Sequence, residues 1–156
     1  MLDQARKRKL YDPLTRTDPA SIGTLPPGPF DLIVSSAVLV CFGDLVPVLA
    51  NLARVLRPGG WLLLTVEVQV DTPRGGDMAP SGRHKHSARY LRRALQAAGF
   101  GGPKQRVDAV LRTENGRPID GLGIAAQRLA LSGLASRVLH SPGRMDSNGA
   151  QGIRGR

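Results

Sequence analysis

Two short apolar runs, separated by a segment with helical spacing, dominate the first half of the chain. Phe30–Val34 and Trp61–Val66 have the length and composition of buried strands. Between them, apolar residues recur at helical intervals: Leu45, Val48, Leu49, Leu52, Val55 and Leu56. This order is typical of a parallel strand–helix–strand unit, so we predict an α/β protein with a buried sheet.

The ends of these elements carry the first signals for turns and for a site. Asp44 is a suitable N-cap for the helix, and Pro58-Gly59-Gly60 is expected to stop it after Arg57. The chain then returns as a strand, Trp61–Val68. Because open α/β sheets bind ligands at the carboxyl ends of their strands, polar residues there are candidates for function. These residues are Ser35, Ser36 and Glu67.

The segment after the second strand is predicted to be a loop followed by a helix. Asp71–His84 is rich in Gly and Pro and is expected to form a lid over the strand ends. Ser87 is the expected N-cap of the helix, Gly99 its left-handed C-cap, and Phe100 folds back onto it.

The C-terminal third predicts a hairpin and a tail. Val107–Thr113 and Gly121–Gln127 flank the turn signal Asn115-Gly116 and are expected to pair antiparallel. Residues 129–156 are rich in Gly, Ser and Arg without sustained periodicity, so we expect a disordered basic tail. The preceding residues, 1–128, are expected to form one domain.

Composition and charge narrow the classes of function. The formal net charge is +10 and the pI about 11.2, but the basic residues are dispersed and only 4% of residues are aromatic. That combination does not favour specific nucleic-acid binding. One cysteine, Cys41, and the absence of a signal peptide or membrane-length apolar run predict a cytoplasmic protein without a membrane partner. His84-Lys85-His86 lacks further ligands for a metal site.

The order of elements and three segments together resemble a known family. FDLIVSSAVLVCFGDL, LARVLRPGGWLLLTVE and GRHKHSARYLRRALQAAGF are similar to segments of class I S-adenosylmethionine-dependent methyltransferases, of the kind often fused to tetratricopeptide repeats in bacteria. The resemblance covers the C-terminal portion of such enzymes and extends from Met1 to Gln127. It implies a Rossmann-like sheet, S-adenosylmethionine as cofactor, and a small-molecule or protein methyl acceptor.

The resemblance also implies roles for individual residues. Asp18 is similar to the acid that faces the adenine of the cofactor. The segment Ser35-Ser36-Ala37 matches the residues that line its sulfonium end. Positions around the acceptor pocket are matched by Glu67, Arg83, His86 and Tyr90.

The N-terminal part of the family's pattern is not found in this chain. Class I enzymes carry a Gly-rich loop after the first strand and an acid after the second, and this sequence begins after both. We therefore expect a methyltransferase domain truncated at its N-terminus, with the first two strands of the sheet missing. Alternatively, the chain is a non-catalytic remnant that acts as a protein-interaction module. In either case Phe30–Ser35 becomes an exposed apolar edge, which predicts self-association.

The candidate residues leave alternatives open. His86 is the best candidate for a catalytic base, since histidine titrates near neutrality, but it can also be a histidine at the start of a helix in a solvated loop. Glu67 either orients an acceptor or is a buried carboxylate paired with an arginine. Tyr90 is a substrate contact or core packing, and Asp18 a cofactor contact or a turn residue before Pro19.

Overall fold

The computed structural model describes residues 2–9, 21, 30–71 and 76–130. Three features predicted from the sequence lie outside these residues: Asp18, most of the segment before Phe30, and the tail from residue 131 onward. In chain order the elements are α1 (Leu2–Arg8), β1 (Phe30–Ser35), α2 (Val46–Val55), β2 (Leu56–Val68), β3 (Gly76–Met78), β4 (His84–His86), α3 (Ala88–Ala97), β5 (Gln105–Glu114) and β6 (Arg117–Gln127).

The strand–helix–strand unit has the predicted parallel pairing. β1 lies beside β2, with Leu32 opposite Trp61 and Ser35 opposite Leu64. The expected helix end is wrong by two residues, because α2 ends at Val55 and Leu56 already has extended backbone in β2. Leu56 is fully buried opposite Phe30, and this burial draws it into the sheet.

The Pro-Gly-Gly turn forms an irregularity inside β2 instead of a separate connection. The register with β1 shifts between Phe30 and Leu32, so the residues from Arg57 to Gly60 are accommodated as a bulge. Gly59 has φ of +78°, a conformation that a side chain would disfavour. The breaker residues therefore end the helix while the chain stays within the strand.

The C-terminal hairpin is confirmed and is longer than predicted. β6 pairs antiparallel with β2 and with β5. Asn115 and Gly116 have φ of 49° and 74°, the positive values that a tight two-residue hairpin turn requires. β5 therefore forms the far edge of the sheet, at the opposite side from β1.

The predicted lid is only partly a loop, because the structure places strand β3 within Asp71–His84 and β4 at its end. β3 and β4 pair antiparallel, and β4 also pairs parallel with β2, with Lys85 opposite Glu67. The physical reason is a difference in length: β2 has 13 residues and β1 has 6. Beyond Ser35, β2 offers backbone groups that β1 does not reach, and β4 pairs with them.

One face of the sheet is covered by α2 and α3. Ser87 caps α3 as predicted, its hydroxyl accepting a hydrogen bond from the Tyr90 N–H at 3.2 Å. Gly99 has φ of +87°, and Phe100 is only 1% exposed. The core between sheet and helices includes Leu49, Leu52, Leu62, Leu64, Val66, Leu91, Leu95, Leu122 and Ile124.

The other face of the sheet, which we call the open face, carries exposed apolar side chains. Leu32 is 50% exposed and Val34 is 65% exposed. Trp61, Leu63 and Val107 lie on the same face and are also exposed. Within the described residues the outer edge of β1 has no strand partner, which confirms the predicted apolar edge.

Candidate functional site

A cleft lies at the carboxyl end of β1, and we call it the strand-end cleft. Its volume is about 250 Å³. Its walls are mainly apolar, with hydroxyl groups from two strand ends: the lining includes Val34, Ser35, Ser36, Leu63, Thr65, Gln105, Val107, Gly123 and Ala125. The predicted site residues Ser35 and Ser36 therefore border a single concave surface.

Small residues on β6 leave room for this cleft. A Cβ atom added at Gly123 would have its nearest neighbour, in Val107, at 3.8 Å, so the position is open. Gly123 lies between Thr65 on β2 and Val107 on β5 in the register of the sheet. The cleft is thus a groove over the short side chains of β6, between longer ones on its neighbours.

The turn after β1 has a conformation that directs the chain away from the sheet. Ala37 has φ of +57°, which is unusual for a residue with a side chain. Its N–H donates to the Thr65 hydroxyl at 3.1 Å. This hydrogen bond compensates in part for the strain, and it holds Ser35 and Ser36 beside the carboxyl end of β2.

Glu67 lies on the open face beyond Thr65 and is 1% exposed. The Arg112 Nε donates to its Oε1 at 3.0 Å, and an Arg83 guanidinium nitrogen lies 3.7 Å from the same oxygen. Arg112 also pairs with Glu114 at 3.1 Å. The structure thus shows the arginine-paired arrangement of Glu67 that the sequence left open, while its Oε2 has no hydrogen-bond partner among the described residues.

Arg112 was not identified from the sequence. It is 45 residues from Glu67 and reaches it across β6. The only signal in the sequence was indirect: a carboxylate at the end of a buried strand needs a cation, and Arg112 lies on another predicted strand, Val107–Thr113.

His86 is fully buried, so the solvated-loop interpretation is wrong. Its ring stacks on Tyr90 at a centroid separation of 5.6 Å and on His84 at 6.4 Å. Neither ring nitrogen has a hydrogen-bond partner in the part of the chain that the structure describes. Burial lowers the pKa of His86, and the nearby His84 acts in the same direction, while the backbone of Leu39 and Phe42 opposes the shift.

Glu67 and His86 lie on opposite faces of the sheet. Lys85 is the register partner of Glu67, and His86 is the partner of Val68. Successive residues of a strand point to opposite faces, so Glu67 belongs to the open face and His86 to the helix-covered face. The structure therefore does not bring the two candidate catalytic residues together.

Tyr90 connects the two helices of the covered face. Its hydroxyl accepts from the Leu45 N–H at 2.8 Å and donates to the Asp44 Oδ1 at 3.0 Å. That same carboxylate oxygen accepts from the Val46 N–H at 3.0 Å, near the predicted cap of α2. Burial is the main cause of a raised pKa for Tyr90. The hydroxyl is thus engaged within the protein.

Part of the chain is similar to a known protein family. Residues 1–64 match the model of a methyltransferase domain family. No curated protein sequence matches the chain significantly. A solved S-adenosylmethionine-dependent methyltransferase from Methanosarcina mazei is similar, with 24% identity, a TM-score of 0.60, and coverage of 72% of this chain and 65% of that one.

Two further solved structures have the same fold. A methyltransferase from Mesorhizobium loti shows 21% identity and a TM-score of 0.60, covering 82% of this chain and 76% of that one. The 1,6-didemethyltoxoflavin-N1-methyltransferase from Burkholderia thailandensis, solved with its substrate and S-adenosylhomocysteine, shows 21% identity and a TM-score of 0.55, covering 70% of this chain and 48% of that one.

These likenesses define the class of fold, that of S-adenosylmethionine-dependent methyltransferases. The chain spans less than two thirds of the Methanosarcina and Burkholderia proteins, at 65% and 48% of their lengths. In the part of the chain that the structure describes, no helix is long and apolar enough to cross a membrane.

The buried position of Glu67 predicts a specific effect of losing Arg112. Replacing Arg112→Leu leaves the Glu67 carboxylate buried without its nearest cation, so we expect the melting temperature to fall by several degrees. Adding Glu67→Gln should recover part of the loss. The matched control is Arg106→Leu on the same strand, whose ion pair with Asp108 is exposed and should be nearly neutral when lost. Equal losses in both arginine variants would contradict this assignment.

The lowered pKa of His86 predicts a pH dependence of folding. The unfolded histidine takes up its proton near the ordinary pKa of 6.5, whereas the folded one does so at lower pH. The free energy of unfolding should therefore fall as the pH drops below that value. Its slope against pH reflects the uptake of at most one proton by His86 on unfolding. His86→Phe, which keeps a ring against Tyr90, should show a shallower fall in urea unfolding measured across this range. Identical slopes would refute the assignment.

Proposed function

We propose that this chain acts in methyl transfer from S-adenosylmethionine and that the cofactor's sulfonium end lies in the strand-end cleft. The observation that carries the proposal is the parallel pair β1 and β2, with Ser35 and Ser36 lining a cleft at its carboxyl end. Open α/β sheets bind their ligands at this position. The methyltransferase-domain match over residues 1–64 supports the same function.

The residues of the cleft suit the sulfonium end of the cofactor. Its walls are mainly apolar, while Ser36 and Thr65 provide hydroxyl groups. No carboxylate is among the described residues that line it. We assign the contact with the cofactor's adenine to Asp18, on the resemblance alone. When bound, the cofactor supplies an electrophilic methyl group, and the chain's own contribution is to align the acceptor in a site poor in water.

The roles of the remaining candidates follow their places in the fold. Glu67 shares the open face with the cleft but is buried, so we propose that it positions Arg83, whose side chain is 40% exposed and can contact the acceptor. His86 would take a proton only from an acceptor that enters on the covered face beside Tyr90. We further propose that the chain belongs to the subfamily often fused to tetratricopeptide repeats, because three segments match it. We also propose a cytoplasmic location, because the chain has a single cysteine.

A second function, that of a non-catalytic interaction module, is favoured by the apolar outer edge of β1. Phe30, Leu32 and Val34 are 42%, 50% and 65% exposed on a strand that is paired on one side only in the described residues. Such an edge pairs readily with another strand. The two functions make different predictions, which can be tested separately.

Cofactor binding is tested by calorimetry with S-adenosylhomocysteine and the whole chain. We expect measurable binding, and we expect Gly123→Val to abolish it, because the side chain fills the cleft at a position with no backbone strain. The matched control is Gly102→Val, where an added Cβ has no neighbour within 4 Å and the strand-end cleft is not touched. Absence of binding to the unmodified chain, or equal binding by both variants, would contradict the proposal.

Self-association through β1 is tested by sedimentation. If the apolar edge pairs with a second strand, Val34→Lys should shift the chain toward monomer without lowering its melting temperature, since this side chain is already exposed. The matched control is Val110→Lys on β5, where the valine is 59% exposed at the other side of the sheet. A monomeric unmodified chain would contradict self-association through this edge.

A further inference from the structure

A second cleft lies between the tips of the two hairpins, β3–β4 and β5–β6, and we call it the tip cleft. Its volume is about 560 Å³. In contrast to the strand-end cleft, its wall contains several charged and polar groups: it is lined by Ala79, Pro80, Ser81, Lys85, Glu114, Asn115, Arg117 and Ile119. The function proposed above places no ligand in this cleft.

The charges in this wall are only partly compensated. The Glu114 carboxylate is paired with Arg112 at 3.1 Å. Neither Lys85 nor Arg117 forms an ion pair or a side-chain hydrogen bond with any part of the chain that the structure describes. Two cations and one carboxylate leave a single net positive charge on the lining, which suits a monoanion better than a dianion.

Lys85 is the more informative of the two cations. It is half-buried on β4, where Glu67 and Asp77 are its register partners on either side, yet it is ion-paired with neither. Its ammonium group is therefore free to donate to a ligand carboxylate, an interaction between charged groups that the fold leaves unmade.

The tip cleft is also placed to serve the strand-end cleft. Thr65 lines the strand-end cleft, Glu67 follows two residues later on the same face, and Lys85 is opposite Glu67. Thr65 and Glu67 are thus about 7 Å apart along β2, and Glu67 and Lys85 about 5 Å apart across the two strands. A small organic molecule can therefore extend from the tip cleft past Glu67 toward the strand-end cleft.

We propose that the methyl acceptor is a small organic molecule with one carboxylate, which Lys85 and Arg117 hold in the tip cleft. This inference rests on the proposed methyltransferase function, because only that function makes the ligand an acceptor. It narrows the acceptor from any small molecule or protein to monocarboxylic acids.

The test is an NMR titration of the ¹⁵N-labelled whole chain with sodium benzoate, with benzamide as an uncharged molecule of the same shape. We expect benzoate, and not benzamide, to shift the amides of Ser81, Asn115 and Gly116 saturably. Lys85→Gln should weaken benzoate binding about tenfold, the effect of losing one hydrogen bond between charged groups. The control is Lys104→Gln, an exposed lysine outside the tip cleft that should leave binding unchanged.

Four outcomes separate this inference from the proposed function. Equal shifts with benzamide, or benzoate binding that Lys85→Gln and Lys104→Gln change alike, would overturn the tip-cleft site. If S-adenosylhomocysteine binds but benzoate does not, the proposed function stands and this inference falls. If benzoate binds at the tip cleft but S-adenosylhomocysteine does not bind, the tip cleft is a carboxylate site whose ligand is not a methyl acceptor. Binding of both, with loss of benzoate alone in Lys85→Gln, supports the inference.

Discussion

The parallel pairing of β1 with β2 is the constraint on which the rest of the structure depends. It requires a crossover, and the crossover is α2, whose apolar face covers the sheet together with α3. It also brings the ends of both strands to one edge of the sheet. Ser35, Ser36 and Thr65 thereby meet at the strand-end cleft. Fold and candidate site are therefore consequences of the same pairing.

The unequal lengths of β1 and β2 organise the second half of the candidate site. Because β2 continues beyond Ser35, its last residues are free to pair with β4. This extension places Glu67 on the open face and His86 on the covered face. It also brings the β3–β4 hairpin toward the tip of β5–β6, and so forms the tip cleft.

The sequence predicted the features that depend on local pattern. Apolar periodicity located β1, β2 and α2, the capping residues Ser87 and Gly99 located α3, and Asn115-Gly116 located the hairpin turn. It did not predict β3 and β4, because three-residue strands are too short to show an alternating pattern and form only where β2 lacks a partner. The Arg112 and Glu67 pair was equally hidden, since it joins residues that only the sheet brings together.

Cysteine cross-linking tests the parallel register most directly. In a Cys41→Ser background, Val34→Cys with Leu63→Cys joins register partners on the open face, where neighbouring Cα atoms are about 5 Å apart and suit a disulfide. Leu32→Cys with Leu63→Cys joins residues that face each other only in an antiparallel or shifted pairing. We expect rapid, near-complete oxidation of the first pair and little of the second. The reverse result would contradict the parallel register of β1 and β2.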